Sequence, residues 1–174
     1  REYDSIPVGN VEAKDNHYVI FVIYHKKYEK ESDYKMKNIE GERIVLREST
    51  FDDCRFFAEW EQMDSVTEFF TISKGRDYEE VVTEFIHRCE DDDKMQLTIC
   101  LKKDEKPIGR IYVSNIDDHY DSLDITRIYI ADKNIRGRGL GEEALETMLR
   151  LAFEEMNMER VTLDHFTDNK IAST

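Results

Sequence analysis

Apolar residues recur along this chain in two periods, and the places where the period changes divide it into elements. Residues 17–25, HYVIFVIYH, form a β-branched and aromatic run of strand length, preceded by a turn-like Ile6-Pro7-Val8-Gly9-Asn10. The stretch 26–37 is charged, has no apolar period and reads as a connector. Arg43-Ile44-Val45-Leu46-Arg47 alternates as a strand, after which Thr50 caps a helix that turns Phe51, Phe56, Phe57 and Trp60 inward. Asp77, with Glu80 three residues on, opens a second helix as a capping box, and Val81, Val82, Phe85, Ile86 and Cys89 follow at helical spacing up to the acidic run 90–93. Strands are predicted at Met95 to Leu101, Ile108 to Val113 and Leu123 to Ile130, with a polar turn at 102–106. A helix over Glu142 to Met156 turns Ala144, Leu145, Met148, Leu149, Leu151, Ala152 and Met156 inward, and Val161 to Phe166 returns as a strand. A strand–helix–strand crossover of this kind makes a parallel pair at the end of an antiparallel meander. The class is therefore α/β: a mixed, mostly antiparallel twisted sheet flanked by helices.

At 174 residues the chain holds one substantial core and hence one site. Its formal net charge of −14 repels phosphate backbones and anionic bilayers, so neither nucleic acid nor membrane is an expected partner. Cys54, Cys89 and Cys100 cannot all pair and form no CxxC or CxxH. No apolar run reaches the roughly 20 residues of a membrane span. A soluble protein of the reducing cytoplasm fits these features.

The candidate chemistry lies between the third meander strand and the last helix, at Arg136-Gly137-Arg138-Gly139-Leu140-Gly141. Glycines let a backbone turn tightly and approach a ligand, a helix start presents unpaired N–H groups, and the helix dipole adds partial positive charge. With two arginines, the segment suits a pyrophosphate; the bland alternative is a glycine-rich turn that binds nothing. It is neither a P-loop, which needs Gly-Lys-Ser/Thr, nor a dinucleotide fingerprint.

Arg136, Gly139 and Gly141, with Gly137 after the arginine, resemble the Arg/Gln-x-x-Gly-x-Gly/Ala signature of the GCN5-related N-acetyltransferase (GNAT) superfamily. Gly41 to Arg47 is similar to that family's first strand, Lys106-Pro107-Ile108-Gly109 to the start of its third, and Asp168-Asn169-Lys170-Ile171-Ala172 to its Asn-x-x-Ala motif. The resemblance spans 36–174, leaving 1–35 as a terminal strand or hairpin and connector. It implies that acetyl-CoA lies in a splay between the two parallel strands. The backbone of Ile128, Tyr129 and Ile130 would then meet the pantetheine arm, 136–141 would receive the pyrophosphate, and Asn169 would help hold the cosubstrate.

The resemblance implies direct attack of a primary amine, from a small molecule or a peptide, on the thioester, with no metal. Asp124 and Asp164 are offered as the base; the alternative for each is a solvated or salt-bridged strand carboxylate. The family's usual acid, a Tyr in a Leu-Tyr-x-x-x-Gly-Phe stretch, has no counterpart before Thr174, so a regulatory protein that binds acetyl-CoA without turnover is the competing expectation. Residues 1–28 look like the family's final hairpin, out of its usual order; the alternative is an unrelated N-terminal strand that completes the sheet. The run 17–25 is accordingly expected beside Val161 to Phe166, within the chain or by exchange in a homodimer, with Tyr3, Tyr18, Tyr24 and Tyr28 as replacement hydroxyls. His17, His25, His87, His119 and His165 have no zinc-type spacing, and Asp117-Asp118-His119-Tyr120-Asp121 is read as a solvated turn before a cation site. The acidic surface favours cationic acceptors.

Overall fold

A computed structural model describes residues 4–13, 16–24, 38–67 and 76–166. In chain order these form β1 (Asp4–Ala13), β2 (Asn16–Tyr24), β3 (Ile39–Glu40), β4 (Ile44–Glu48), α1 (Cys54–Trp60), α2 (Asp64–Thr67), α3 (Tyr78–Cys89), β5 (Met95–Leu101), β6 (Pro107–Asp117), β7 (Ser122–Ile130), α4 (Leu140–Arg150) and β8 (Arg160–Phe166). The described strands make one sheet in the order β1-β2-β8-β7-β6-β5-β4-β3. Every adjacent pair is antiparallel except β7 and β8, the pair that α4 connects.

The helices divide between the two faces. On one, α4 packs Leu140, Ala144, Met148 and Leu149 onto Ile44, Leu46, Leu97, Ile99, Ile111, Leu123, Ile125 and Val161. Alternation along each strand supplies that aliphatic layer. On the other face α1 to α3 build a smaller core of Cys54, Phe57, Trp60, Val66, Val81 and Phe85 against Tyr129 and Ala131. Polar residues reach into this second face, among them Gln96, Thr98, Arg110 and Arg127, all buried.

Several expectations hold at residue level. Asp77 accepts from Glu80 N at 2.9 Å while the Glu80 carboxylate accepts from Asp77 N at 2.8 Å, so the capping box starts α3. Of the run 17–25, Tyr18 to Tyr24 lie beside β8, with Tyr18 opposite Phe166 and Tyr24 opposite Arg160, and not beside β4. Asp117 folds its own turn by accepting from His119 N at 2.8 Å and Tyr120 N at 3.0 Å.

Other expectations are corrected. Residues 6–10 are part of β1 and not a turn: Pro7 is tolerated on an edge strand, and the register shift between Pro7 and Gly9 absorbs the misfit as a bulge. Thr50 is tied to Asp53, whose carboxylate accepts from Thr50 N at 2.8 Å, but the turn it opens is 3₁₀ over Phe51–Asp53. That tighter turn rotates Phe51 outward, 52% exposed, while Phe57 and Trp60 go inward. Ile86 and Cys89 also face solvent, because α3 packs on a narrower stripe than its apolar pattern spans. The last helix changes at Leu151–Glu155 into a π-helical turn. The connector 26–37, Met36, Tyr3, Tyr28, His25 and Asn169 lie outside the described residues. No helix among the described residues is long and apolar enough to cross a membrane.

Candidate functional site

The parallel strands β7 and β8 pair only from Ser122 opposite Arg160 to Ile125 opposite Leu163. Beyond that point β7 continues to Ile130, hydrogen-bonded on its other edge to β6, and β8 continues to Phe166, bonded to β2. The two strands therefore part like a V. The cause is local: the register of β6 with β7 shifts between Tyr112 opposite Arg127 and Val113 opposite Ile125, leaving Thr126 as an extra residue. Such a bulge bends its strand and increases its twist. Over Thr126 to Ile130 the edge of β7 facing away from β6 is thus no longer paired with β8, and this segment contains Ile128, Tyr129 and Ile130.

The opposite edge fixes that segment tightly. Gly109 lies opposite Ile130, and a Cβ placed on it would sit 2.1 Å from the Tyr129 carbonyl oxygen. Only glycine lets β6 approach so closely, which accounts for the Pro107-Ile108-Gly109 spelling.

The strand leads to the glycine loop. Gly137 and Gly139 have φ of 70° and 74°, the left-handed region, and Gly139 is the N-cap of α4. Leu140, Gly141 and Glu142 are the first residues of that helix, where N–H groups have no partner within the helix. A Cβ on Gly137 would meet nothing within 4 Å, so the left-handed backbone and not packing calls for glycine there.

The two loop arginines differ. Arg136 donates from Nε to Ile130 O at 2.6 Å and from Nη1 to Ser65 O at 2.9 Å, so its guanidinium is spent on shaping the loop and not held free for a ligand. Arg138 is exposed, and its carbonyl accepts from Arg43 Nη1 at 2.8 Å. Arg43 also donates from Nε to Glu143 at 2.7 Å, and Glu143 accepts from Arg43 N at 2.6 Å. The sheet, the loop and the first turn of α4 are thereby clamped together.

Asp124 and Asp164 share a face. Leu123 and Ile125 pack into the aliphatic layer, as do Val161 and Leu163, so the alternate residues Asp124, Thr162 and Asp164 lie on the side of α1 to α3. Asp124, half-buried, accepts from Asn115 Nδ2 at 2.6 Å. Asp164 is exposed and stands one residue past the last β7–β8 pair.

On this same face lies a cluster that the sequence reading missed. Glu61, just past α1, is buried and accepts from Arg110 Nη1 and Arg127 Nη1, each at 2.9 Å, from Arg76 Nη2, and from the Tyr129 hydroxyl at 3.4 Å. Arg110, fully buried, also donates to Gln96 Oε1 at 2.8 Å and stacks on Phe57. Arg76 and Arg88 share Glu84, and Arg88 lies over the Tyr112 ring at 3.6 Å. Burial and the nearby Glu61 charge push the Tyr129 hydroxyl well above its ordinary range, so it is a donor at neutral pH. The available signal was the phase break in β7: Leu123 and Ile125 alternate, then Ile128 and Ile130 resume three residues later, as a bulge requires.

Among the described residues no group of three or more His, Cys, Asp and Glu is gathered to hold a metal ion. Burial raises the Cys54 thiol to about 11 and raises Cys100 too, which leaves both protonated and unsuited to nucleophilic attack.

Comparisons with known proteins agree with this geometry. Residues 43–173 match the model of the acetyltransferase (GNAT) domain family. An uncharacterized N-acetyltransferase of Bacillus subtilis, YnaD, is 23% identical over 125 residues, covering 71% of this chain and 70% of that protein. Among solved structures, spermidine N-acetyltransferase from Vibrio cholerae in complex with CoA and spermine superposes with a TM-score of 0.63 at 16% identity, over 70% of each chain. The GNAT-family acetyltransferase from Bacillus anthracis gives 0.60 at 17% identity, over 72% and 71%. A single split parallel pair, a bulged strand feeding a left-handed glycine loop, and a family match over three-quarters of the sequence identify the chain as a member of the GNAT acetyltransferase family.

Proposed function

We propose that this protein moves the acetyl group of acetyl-CoA to a primary amine by direct attack. The observation that carries the reading is the V between β7 and β8, where β7 runs past its last β8 pair into a loop whose glycines have left-handed backbones. The backbone of Ile128, Tyr129 and Ile130, beyond the last β7–β8 pair, suits a pantetheine arm, which pairs with a strand edge as a further strand does. The N–H groups of Gly137, Arg138, Gly139, Leu140 and Gly141 suit the pyrophosphate, and exposed Arg138 adds positive charge. Arg136 acts through the loop: its bonds to Ile130, Ala131 and Ser65 carbonyls hold the turn open. Asn169 is assigned to the cosubstrate by motif alone.

The thioester supplies an electrophilic carbonyl, and this chain's residues supply position and proton transfer. Asp124 and Asp164, both on the α1–α3 face beside the V, are the groups proposed to accept the proton that the amine releases, directly or through water. Asp124 is oriented for this by Asn115. As the amine nitrogen bonds to the carbonyl carbon, the C–S bond breaks and the thiolate leaves, taking up a proton. The free thiols and acidic surface suit the cytoplasm.

Calorimetry with acetyl-CoA, followed by thiol release with a panel of amines, tests the reading. Binding, with thiol release dependent on an amine, is expected. Failure to bind acetyl-CoA, or release that no amine stimulates, would overturn it.

A further inference from the structure

The whole molecule is strongly acidic, yet the interior beside the V is basic. Among the described residues, Arg76, Arg88, Arg110 and Arg127 are gathered on two carboxylates, Glu61 and Glu84. Three guanidinium nitrogens in the cluster, Arg76 Nε, Arg88 Nη1 and Arg110 Nε, are buried without a hydrogen-bond partner. Burying unmatched charge and unmatched donors costs folding free energy that an acidic protein could readily have avoided.

The position is informative too. Arg127 is the first regular residue after the Thr126 bulge, at the place where β8 leaves β7. Its side chain keeps 10% exposure, that of Arg88 15% and that of Arg76 17%, while Arg110 and Glu61 behind them are sealed. α4 and its aliphatic layer cover the other face of the sheet, which leaves this face for the acceptor. Burial lowers Arg88 to about 10, with Arg127 and Arg110 adding to the fall, and Arg127 is lowered in the same way. Arg76, bonded to both Glu84 and Glu61, is raised instead.

Resting on the acetyl transfer proposed above, we propose that the acceptor amine also carries an oxyanion group, a carboxylate or phosphate, and that Arg127, backed by Arg88 and Arg76, receives it. Guanidinium forks match both groups in shape and charge. Glu61 is the positioning residue, holding Arg110, Arg127 and Arg76 in one array. The cationic acceptor suggested by the overall charge of −14 is the opposite choice. A buried local field acts at shorter range and higher strength than a screened surface charge, so the local one should decide.

Matched amines separate the two. With the full chain and saturating acetyl-CoA, kcat/KM is measured for 4-aminobutyrate against butylamine and 1,4-diaminobutane, and for phosphoethanolamine against ethanolamine. At least a tenfold preference for an anionic member is expected, and the pair that shows it distinguishes carboxylate from phosphate. Arg127→Gln should cut that preference to below threefold with the acetyl-CoA Kd unchanged, and Arg127→Lys should restore part of it. Preference for the diamine or neutral amine, equal rates, or no turnover with acetyl-CoA bound would overturn the proposal. A thermal-shift titration of the same amines without acetyl-CoA reads the arginines independently. A Tm rise confined to the anionic members supports the site even if acetyl-CoA fails to bind, and equal shifts or none count against it.

Discussion

The two faces of the sheet are stabilised in opposite ways. Under α4 the layer is aliphatic and dry, and Ile44, Leu46, Leu97, Ile99, Ile111, Leu123, Ile125 and Met148 have no exposed surface to speak of. Under α1 to α3 the same strands present Arg110, Arg127, Gln96 and Thr98, and a single carboxylate, Glu61, serves three guanidiniums. An aliphatic layer tolerates exchange of one apolar side chain for another, since its attraction is non-directional. A charged layer does not, because every member is another's partner. The face that gave up cheap stability is the one beside the V, as expected of a surface kept for recognition.

The largest effect should come from removing the shared anion. Glu61→Ala leaves Arg76, Arg110 and Arg127 uncompensated in the interior and should cost about 3–5 kcal/mol or abolish folding, read by urea denaturation. Leu123→Ala on the dry face, a cavity of ordinary kind, should cost about 2–5 kcal/mol while leaving urea unfolding cooperative. If Glu61→Ala proves milder than Leu123→Ala, the contrast between the faces is mistaken.

Next in size is Gly109→Ala. The added carbon would meet the Tyr129 carbonyl at 2.1 Å, and β6 and β7 would have to separate, at a cost of about 1–3 kcal/mol. Because the strain falls on the stretch of β7 beyond its last β8 pair, acetyl-CoA affinity should drop together with Tm. A stable variant with unaltered affinity would show that the close approach does not matter for the site.

Gly139→Val should be smaller in stability and larger in binding. A β-branched residue at φ of 74° costs roughly 1–2 kcal/mol, and its Cβ would lie 3.4 Å from Arg43 Nη2, crowding the clamp that shapes the loop, so calorimetry with acetyl-CoA should give no heat while circular dichroism stays native. Arg138→Ala should weaken binding severalfold, and the loss should shrink as salt is raised. Wild-type affinity in both variants would remove the loop from the site.

The smallest expected effect is on the acid side. Burial alone would raise Glu143, but its bonds from Arg43 and Ile44 outweigh it and hold the carboxyl below its ordinary value of 4.5. A carboxyl with a depressed folded pKa contributes stability above the unfolded value and loses it as pH falls through the folded one. Wild type should therefore lose part of its advantage over Glu143→Gln on going from pH 6 to pH 3. An advantage independent of pH across that range would contradict the clamp.

Much of the dry face was legible in the sequence, because period-2 strands and a broad-faced helix follow from aliphatic spacing. Met95 to Leu101 emerges with the bounds expected of it, and the glycine loop leads into α4 where the motif predicts. The charged face was not legible. Arg110 and Arg127 sit in strands where an arginine ordinarily points to solvent, and nothing local says that Glu61, dozens of residues away, will meet both. Phe51 misled for a related reason: one 3₁₀ turn rotates a side chain by enough to reverse its face, and apolar pattern carries no such phase information. The Thr126 bulge was readable in principle, since it moves the apolar phase of β7 by one residue.

The clamp formed by Arg43 has a consequence for the order in which the protein assembles. Its partners Arg138 and Glu143 stand 95 and 100 residues further along the chain, and contacts of such separation form late, after the intervening meander has closed its loops. The left-handed turn at Gly137 and Gly139 is thus among the last features to acquire its shape. A partly folded chain has no finished cradle, and a nucleotide ligand should slow unfolding of the native protein while leaving the early rate of refolding untouched.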